Sequence, residues 1–390
     1  MLLVINGGSS SIKFALFTHT GQPEKISSGR IDNIGRPDSS FKFMQANSKV
    51  PDIIPLTAIH DYPATIDYLL QWITKQIDVE KIVAIVHRVV HGMQHTAPAV
   101  ITPELIATLK QIIPFDPDHL PNQINLIEIL QQHHPDKIHM ACFDTAFHQT
   151  IPRVARLLPI PRRFEKQGIL RYGFHGLSYQ YLMQALEKAA GRDSANGRVV
   201  LAHLGNGASL AAVYQGQSID TSMAFTPASG IPMSSRSGDL DPGVAWYIMK
   251  SATLSADQFN QLINHESGLL GIAETSGDMA GLLITESTDI RAKEAVDVFC
   301  YEVRKKIGAY AAALGGIDTL VFSGGIGENA PQIRQRVCEQ LGFLGIELHQ
   351  QRNQENSHFI SVDKGKVAVR VIPTDEEWMM AQIANSMISH

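Results

Sequence analysis

The feature that most restricts what this chain can fold into is a unit that occurs twice, about half a chain apart. The first copy begins Leu2-Leu3-Val4-Ile5, passes through Asn6-Gly7-Gly8-Ser9-Ser10-Ser11, and continues as Ile12-Lys13-Phe14-Ala15-Leu16. The second begins Val200-Leu201-Ala202-His203-Leu204, turns at Gly205-Asn206-Gly207-Ala208-Ser209, and continues as Leu210-Ala211-Ala212-Val213. Each reads as strand, glycine turn, strand. Such a hairpin lets the backbone come close to a ligand, because glycine has no Cβ in the way. The repeat predicts two homologous halves; chance resemblance of two glycine hairpins is the alternative.

The rest of the chain suits that reading. Further strands are predicted at 81–90, 138–143, 319–322 and 367–372, with helices at 64–75, 123–132, 178–190, 296–313 and 331–341. Strand and helix alternating throughout argue for α/β layers. The 390 residues are 44% hydrophobic and 18% charged, enough apolar content for packed cores and long enough for two or three domains. Net charge is −5 with no basic stripe, which argues against nucleic acid as a partner. The three cysteines (Cys142, Cys300, Cys338) form no CxxC pair, so neither a disulfide framework nor a zinc ribbon is expected. No apolar run approaches a membrane span, and the N-terminus reads as a first strand and not a signal peptide. The expectation is a cytoplasmic protein without a membrane partner.

Phosphate binding calls for backbone N–H donors with glycine beside them. Three segments qualify: Asn6–Ser11, Gly205–Ser209, and Ser323-Gly324-Gly325-Ile326-Gly327-Glu328-Asn329. None is a GxxxxGK[ST] loop, nor a GxGxxG turn of the dinucleotide-binding kind. Charged residues at predicted strand ends add chemistry. Arg88, within 84–91, could face solvent on an edge or hold a carboxylate or phosphate bidentately. Asp144 ends the strand 138–143, where open α/β sheets bind ligands. Arg236 lies in a donor-rich turn, and Glu376 and Glu377 follow a strand end, where they could cap a helix or hold Mg2+ through water. His87, His91 and His95 are spaced like helical metal ligands, but on a strand they would spread over about 25 Å. His175, flanked by glycines, is either a packing or capping residue or a functional one.

Together these pieces resemble the acetate kinase family, within the superfamily of acetate and sugar kinases, heat-shock ATPases and actin. The resemblance rests on Asn6–Lys13, His87–Gly92, Phe143–His148, Tyr172–Gly176, His203–Gly207, Arg236–Pro242, Gly325–Asn329 and Ile372–Glu377, in family order. It implies two duplicated RNase H-like, actin-like ATPase domains with an interdomain cleft. The N-terminal domain would be 1–147 plus a returning helix 376–390, carrying the acyl-substrate residues, and 148–375 would bind nucleotide. It further implies reversible, Mg2+-dependent phosphoryl transfer between ATP and acetate, giving acetyl phosphate and ADP, in a homodimer; Mn2+ could replace Mg2+.

The resemblance assigns roles residue by residue. Asp144 resembles the family's catalytic acid/base, and His175 and Arg236 its transition-state stabilisers. Arg88 resembles the carboxylate clamp, with Val90, Phe174 and Pro227 around the acetate methyl. Asn6 and Glu376 resemble metal-associated positions. Lys13, His203, Leu204, Gly205, Asn206 and Gly207 resemble phosphate contacts; Gly325, Ile326, Gly327, Glu328, Asn329, Asp278, Met279 and Ala280 resemble adenosine contacts. Because an acetate carboxylate is already ionised at neutral pH, Asp144 is read as orienting and electrostatic.

Three positions depart from the family pattern. Met93 replaces a glycine after Arg88. Ala280 replaces an arginine beside adenine, which leaves base selectivity open. Asp118 stands where an apolar pocket residue is expected, and a carboxylate there is unfavourable unless turned away, protonated or paired, for instance with His119. Propionate or another short-chain acyl group is therefore the alternative substrate. A non-catalytic actin-like ATP-binding module would share the hairpins without needing Arg88, His175 and Arg236 together, and a metal hydrolase fails on histidine spacing.

Overall fold

The computed structural model describes residues 1–8, 11–45, 48, 50–56, 59 and 61–388. Ser9 and Ser10 of the first glycine turn lie outside the described residues. The chain divides into two compact units, Met1–Ala146 with Asp375–His390, and Phe147–Thr374.

The first unit is built on β1 (Leu2–Gly7), β2 (Ile12–Phe17), β3 (Lys25–Asp32), β4 (Ser40–Gln45), β5 (Asp52–Pro55), β6 (Ala84–Val89), β7 (Ala99–Val100) and β8 (Ile138–Phe143), in the order β5-β4-β3-β2-β1-β6-β8-β7. The second is built on β9 (Arg198–Leu204), β10 (Ala208–Tyr214), β11 (Gln217–Thr221), β12 (Thr319–Ser323) and β13 (Ala368–Val371), in the order β11-β10-β9-β12-β13. The pairing is the same in both. β3-β2-β1 and β11-β10-β9 are antiparallel, and each first hairpin strand then continues into two parallel neighbours, β6 and β8 or β12 and β13. This shared order bears out the two homologous halves that the sequence repeat predicts and the duplicated RNase H-like arrangement that the family resemblance implies. The outer strands β4, β5 and β7 are additions to the first sheet alone.

Central strands read as near-continuous apolar runs because helices cover them. In the first unit the core includes Leu3, Ile5, Phe14, Phe41, Ile66, Leu69, Ile85 and Leu126. Fully burying one such side chain is worth about 1.5–3 kcal/mol. α1 (Tyr62–Gln76) supplies Ile66 and Leu69; it starts where the Asp61 carboxylate accepts from Ala64 N–H at 2.7 Å. α2 (Leu120–His133) begins with Pro121 in its first turn and supplies Leu126. In the second unit α3 (Gly176–Ala190) lays Tyr179, Leu182 and Leu186 on Val199, Leu201 and Val321, and ends at Gly191 with φ 82°. The last helix, α4 (Glu376–Ile388), packs on β1, β2, β6 and β8 of the first unit. It is capped by Asp375, whose carboxylate accepts from Trp378 N–H at 2.8 Å, so Glu376 and Glu377 are spared that task.

Candidate active site

In the first unit, the carboxyl ends of the parallel strands β1, β6 and β8 carry Asn6, Arg88 and Asp144, and the first turn of α4 adds Glu376. Arg88 donates through Nη2 to Asp144 Oδ2 and through Nη1 to Asn6 Oδ1 at 3.1 Å. Glu376 Oε2 lies 3.9 Å from Arg88 Nε. Asp144 is fully buried and Arg88 half-buried, on a strand that lies between β1 and β8, which rules out the edge-strand alternative for Arg88.

Burial disfavours the Arg88 charge, but Asp144, Glu376 and Glu377 outweigh it and hold the pKa above its ordinary value. Burial pushes the Asp144 carboxyl up, and Glu376 pushes the same way, against the pull of Arg88. With an arginine bonded directly to it, the carboxylate stays ionised at neutral pH. Arg88 Nε and Asp144 Oδ1 are nevertheless buried without a hydrogen-bond partner among the described residues. Leaving such groups unsatisfied costs about 1–3 kcal/mol each or more, so this corner is built for something further.

Gln123 of α2, which the sequence reading did not single out, ties two site elements together. Its Oε1 accepts from Val90 N–H at 2.9 Å and its Nε2 donates to the Gly7 carbonyl at 3.0 Å. Val90 is buried at the end of β6, and Lys13 lies opposite Asn6 in the β1–β2 register. Asp118 is half-buried between the turn at 113–115 and α2, and His119 pairs through Nδ1 with Asp116 at 2.8 Å.

The second unit assembles a different set. His175 takes a left-handed backbone, φ 59°, at the start of α3, and its Nδ1 meets Ser209 Oγ at 2.8 Å. The ring stacks on His203 with centroids 4.3 Å apart, and His203 Nδ1 meets Ser178 Oγ at 2.8 Å. Both rings are aimed at the glycine turn of the β9–β10 hairpin. A Cβ on Gly207 would lie 3.4 Å from His175 Nε2 and 3.6 Å from Arg236 Nη1. One on Gly205 would lie 3.8 Å from Gly325 N and 3.9 Å from His203 Nε2. Arg236 Nη1 donates to the buried Pro227 carbonyl at 3.3 Å. The Arg236 backbone is pinned by Gly268, where any Cβ would lie 2.5 Å from the Arg236 carbonyl.

The third glycine segment, read from sequence as a turn, is a short helix over Gly324–Asn329 that follows β12 directly. Gly324 has φ +75° and sits so close that a Cβ would be 2.6 Å from the Leu204 carbonyl, which brings this helix against the second hairpin. Glu328 turns inward, accepting from Gly324 N–H at 2.8 Å and Thr374 N–H at 3.2 Å. Beneath it, fully buried Arg334 donates to the Gly327 and Glu328 carbonyls at 2.8 and 3.0 Å and to Asn353 Oδ1 at 2.8 Å; burial pulls its pKa down to about 10. Ile326 is half-buried, and exposed Asn329 donates to the Gly325 carbonyl at 3.0 Å. Asp278 caps a helix at 279–285 through Gly281 N–H at 3.0 Å; Met279 is buried and Ala280 exposed.

His148 is a second residue missed as an individual. It is buried, with Nε2 at 3.0 Å from the Phe174 carbonyl and Nδ1 at 2.8 Å from Ser218 Oγ. A carbonyl only accepts, so Nε2 carries the proton and Ser218 donates to Nδ1. His148 thereby fixes the backbone just before His175. Its signal in the sequence was membership of the Phe143–His148 motif, with nothing in spacing to say what it holds.

Sequence comparison places this geometry among known proteins. The profile of the acetokinase family matches residues 1–382. An acetate kinase of Rhodopseudomonas palustris is 42% identical over 98% of this chain and 97% of its own length. Among solved structures, a propionate kinase from Francisella tularensis superposes with TM-score 0.90 at 36% identity, covering 98% of each chain. The acetate kinase of Porphyromonas gingivalis superposes with TM-score 0.88 at 34% identity, covering 100% of this chain and 99% of that one. Matched from its first strand into its last helix, in sequence and in fold, this chain belongs to the acetokinase family.

Proposed function

We propose that the chain catalyses reversible phosphoryl transfer between ATP and acetate. A carboxylate oxygen of acetate attacks the γ-phosphorus while the bond to the β,γ-bridging oxygen breaks, and that bond's electron pair leaves with ADP. Such a reaction is carried mainly by positioning and by charge placed around the transferring oxygens. The observation that carries the reading is Arg88, a half-buried guanidinium held by Asp144 and Asn6 whose Nε is buried without a hydrogen-bond partner among the described residues. In this reading Arg88 orients the acyl carboxylate, and Val90, Phe174 and Pro227 surround its methyl. His175 and Arg236 face the transferring phosphoryl group. The hairpin Gly205–Gly207, with Lys13, receives the nucleotide phosphates, and Gly325–Asn329 with Asp278–Ala280 receives the adenosine.

Asn6 and Glu376 would hold Mg2+. No group of three or more His, Cys, Asp or Glu side chains placed to hold a metal occurs among the described residues. That suits Mg2+, which keeps waters and binds one or two carboxylates together with substrate phosphates. The orphaned Asp144 Oδ1 beside Asn6 and Glu376 fits the same reading. Bound there, Mg2+ would neutralise developing phosphate charge. The test is hydroxamate trapping of acyl phosphate with ATP, Mg2+ and a series of short carboxylates. Acetate should give the highest kcat/KM; a higher value for propionate would move the substrate assignment to the longer acid, and no acyl phosphate from any carboxylate would overturn the reading.

The homodimer is part of the same proposal. It is supported by the helix at 242–251, none of whose residues is buried and which exposes Val244, Trp246 and Tyr247. Trp246→Glu should then shift sedimentation from dimer to monomer, and a wild-type monomer would refute it. Three buried free thiols support a reducing compartment, the cytoplasm. Among the described residues no helix is long and apolar enough to cross a membrane.

A further inference from the structure

His175 can present either a hydrogen-bond donor or an acceptor at Nε2, and only a donor can meet a phosphoryl oxygen. Which it presents depends on the proton at Nδ1. Nδ1 lies 2.8 Å from Ser209 Oγ, and Ser209 Oγ lies 2.5 Å from the Tyr179 hydroxyl. Both residues are fully buried, and among the described residues these are the only partners of their hydroxyls.

Two contacts can use two protons, which leaves one arrangement that satisfies every donor. If Nδ1 carried a proton, three protons would share two contacts: Ser209 would accept from Nδ1 and either donate to Tyr179, stranding the Tyr179 proton, or accept from Tyr179 as well, stranding its own. A buried unsatisfied hydroxyl costs about 1–3 kcal/mol, about fivefold to about 150-fold in population. In the other direction Tyr179 donates to Ser209, Ser209 donates to Nδ1, and nothing is left over. Burial raises the Tyr179 pKa, so the phenol remains a donor throughout the physiological range. The neighbouring histidine lacks this constraint: Ser178 Oγ meets both His203 Nδ1 and Thr374 Oγ1, and Thr374 is half-buried, so either direction can be satisfied.

We infer that Tyr179 and Ser209 are positioning residues that lock His175 in the Nε2–H tautomer, so that a neutral donor faces the Gly207 end of the phosphate hairpin. The inference deepens the proposed reaction and rests on it for its purpose, but not for its geometry. A neutral donor stabilises charge as it develops without requiring that the ring be protonated first. Neither residue touches the reacting atoms; the sequence put Ser209 in a phosphate-binding segment but showed neither its pairing with His175 nor any part for Tyr179.

The experiment is histidine 15N NMR on the full-length protein at neutral pH, with the His175 signals assigned by their loss in His175→Gln. Wild type should show a pyridine-like Nδ1 and a pyrrole-like Nε2. The double variant Tyr179→Phe with Ser209→Ala removes the whole relay without stranding a hydroxyl. It should populate both tautomers and lower kcat about tenfold to a hundredfold with KM for ATP and acetate little changed. In addition, His175→Gln, whose amide reaches toward the Nε2 position, should retain more kcat than His175→Asn. Asn tolerates the left-handed backbone at least as well, so strain would not explain that order. A pyrrole-like Nδ1 or an imidazolium in wild type, or a double variant with unchanged spectrum and kcat, would overturn the inference. The spectrum needs no turnover: a correct tautomer in a protein that makes no acyl phosphate would refute the proposed function and leave the relay standing.

Discussion

Lowering the pH from about 7 to about 5 should cost the second unit about 2 kcal/mol through His148 alone. Its ring is buried between Ser218 and the Phe174 carbonyl, and burial, aided by the Arg171 charge, holds its pKa down to about 4 against 6.5 for a free histidine. Between those values the unfolded chain binds a proton that the folded one does not. Stability is therefore full above about pH 6.5 and falls as the pH drops toward about 4. The full difference of about 2.5 pKa units corresponds to about 3 kcal/mol, of which about 2 kcal/mol is lost by about pH 5. His87 and His139 are also pushed down by burial, so the wild-type loss contains their share. His148→Gln isolates the one group, because its amide can donate to the same carbonyl but does not titrate. Urea unfolding of both proteins at the two pH values gives the comparison. The variant should lose about 2 kcal/mol less than wild type on acidification; equal losses would refute the assignment of a neutral, buried His148.

Other perturbations should separate structure from chemistry. Arg88→Ala strands the buried Asp144 charge and should cost about 3–5 kcal/mol in stability besides about a hundredfold in kcat. Arg88→Met combined with Asp144→Leu should recover most of the melting temperature and none of the acyl phosphate formation. Gln123→Leu removes the partners of Val90 N–H and the Gly7 carbonyl, costing about 2 kcal/mol and raising KM for acetate in steady-state assays. Gly324→Ala meets both a φ of +75° and the Leu204 carbonyl; calorimetric titration should show ATP affinity falling while acetate affinity holds.

The hairpin repeat was legible because it depends on local composition: glycine between two apolar strands dictates a turn wherever it occurs. It pointed to two homologous halves, and the structure adds the five-strand order that the two sheets share. The apolar runs of the central strands and the periodic α1 and α3 were readable for the same reason, though both helices begin two residues before the predicted starts. The strands β3, β4, β5, β7 and β11 were not predicted, because half-exposed strands at or near the sheet edges carry little continuous hydrophobic pattern. The segment after β12 looked like a turn since its glycines are poor helix formers. It is helical because Glu328 satisfies Gly324 N–H at one end and Arg334 takes carbonyls at the other. The particular jobs of Gln123, His148, Ser209 and Tyr179 were not legible, for a common reason. Each acts on a partner far away in sequence, Gln123 on Gly7 and Ser209 on His175, and neither periodicity nor spacing encodes such a meeting.

The most direct test of the account is 31P NMR of the purified full-length protein with ATP, Mg2+ and acetate, run beside Arg88→Ala and Arg236→Ala. The γ-phosphate signal of ATP should decline as an acyl phosphate signal grows in wild type, and the reaction should reverse when acetyl phosphate and ADP are supplied instead. Both variants should be nearly silent. Absence of acyl phosphate in wild type, or its formation at wild-type rate in either variant, would contradict the account.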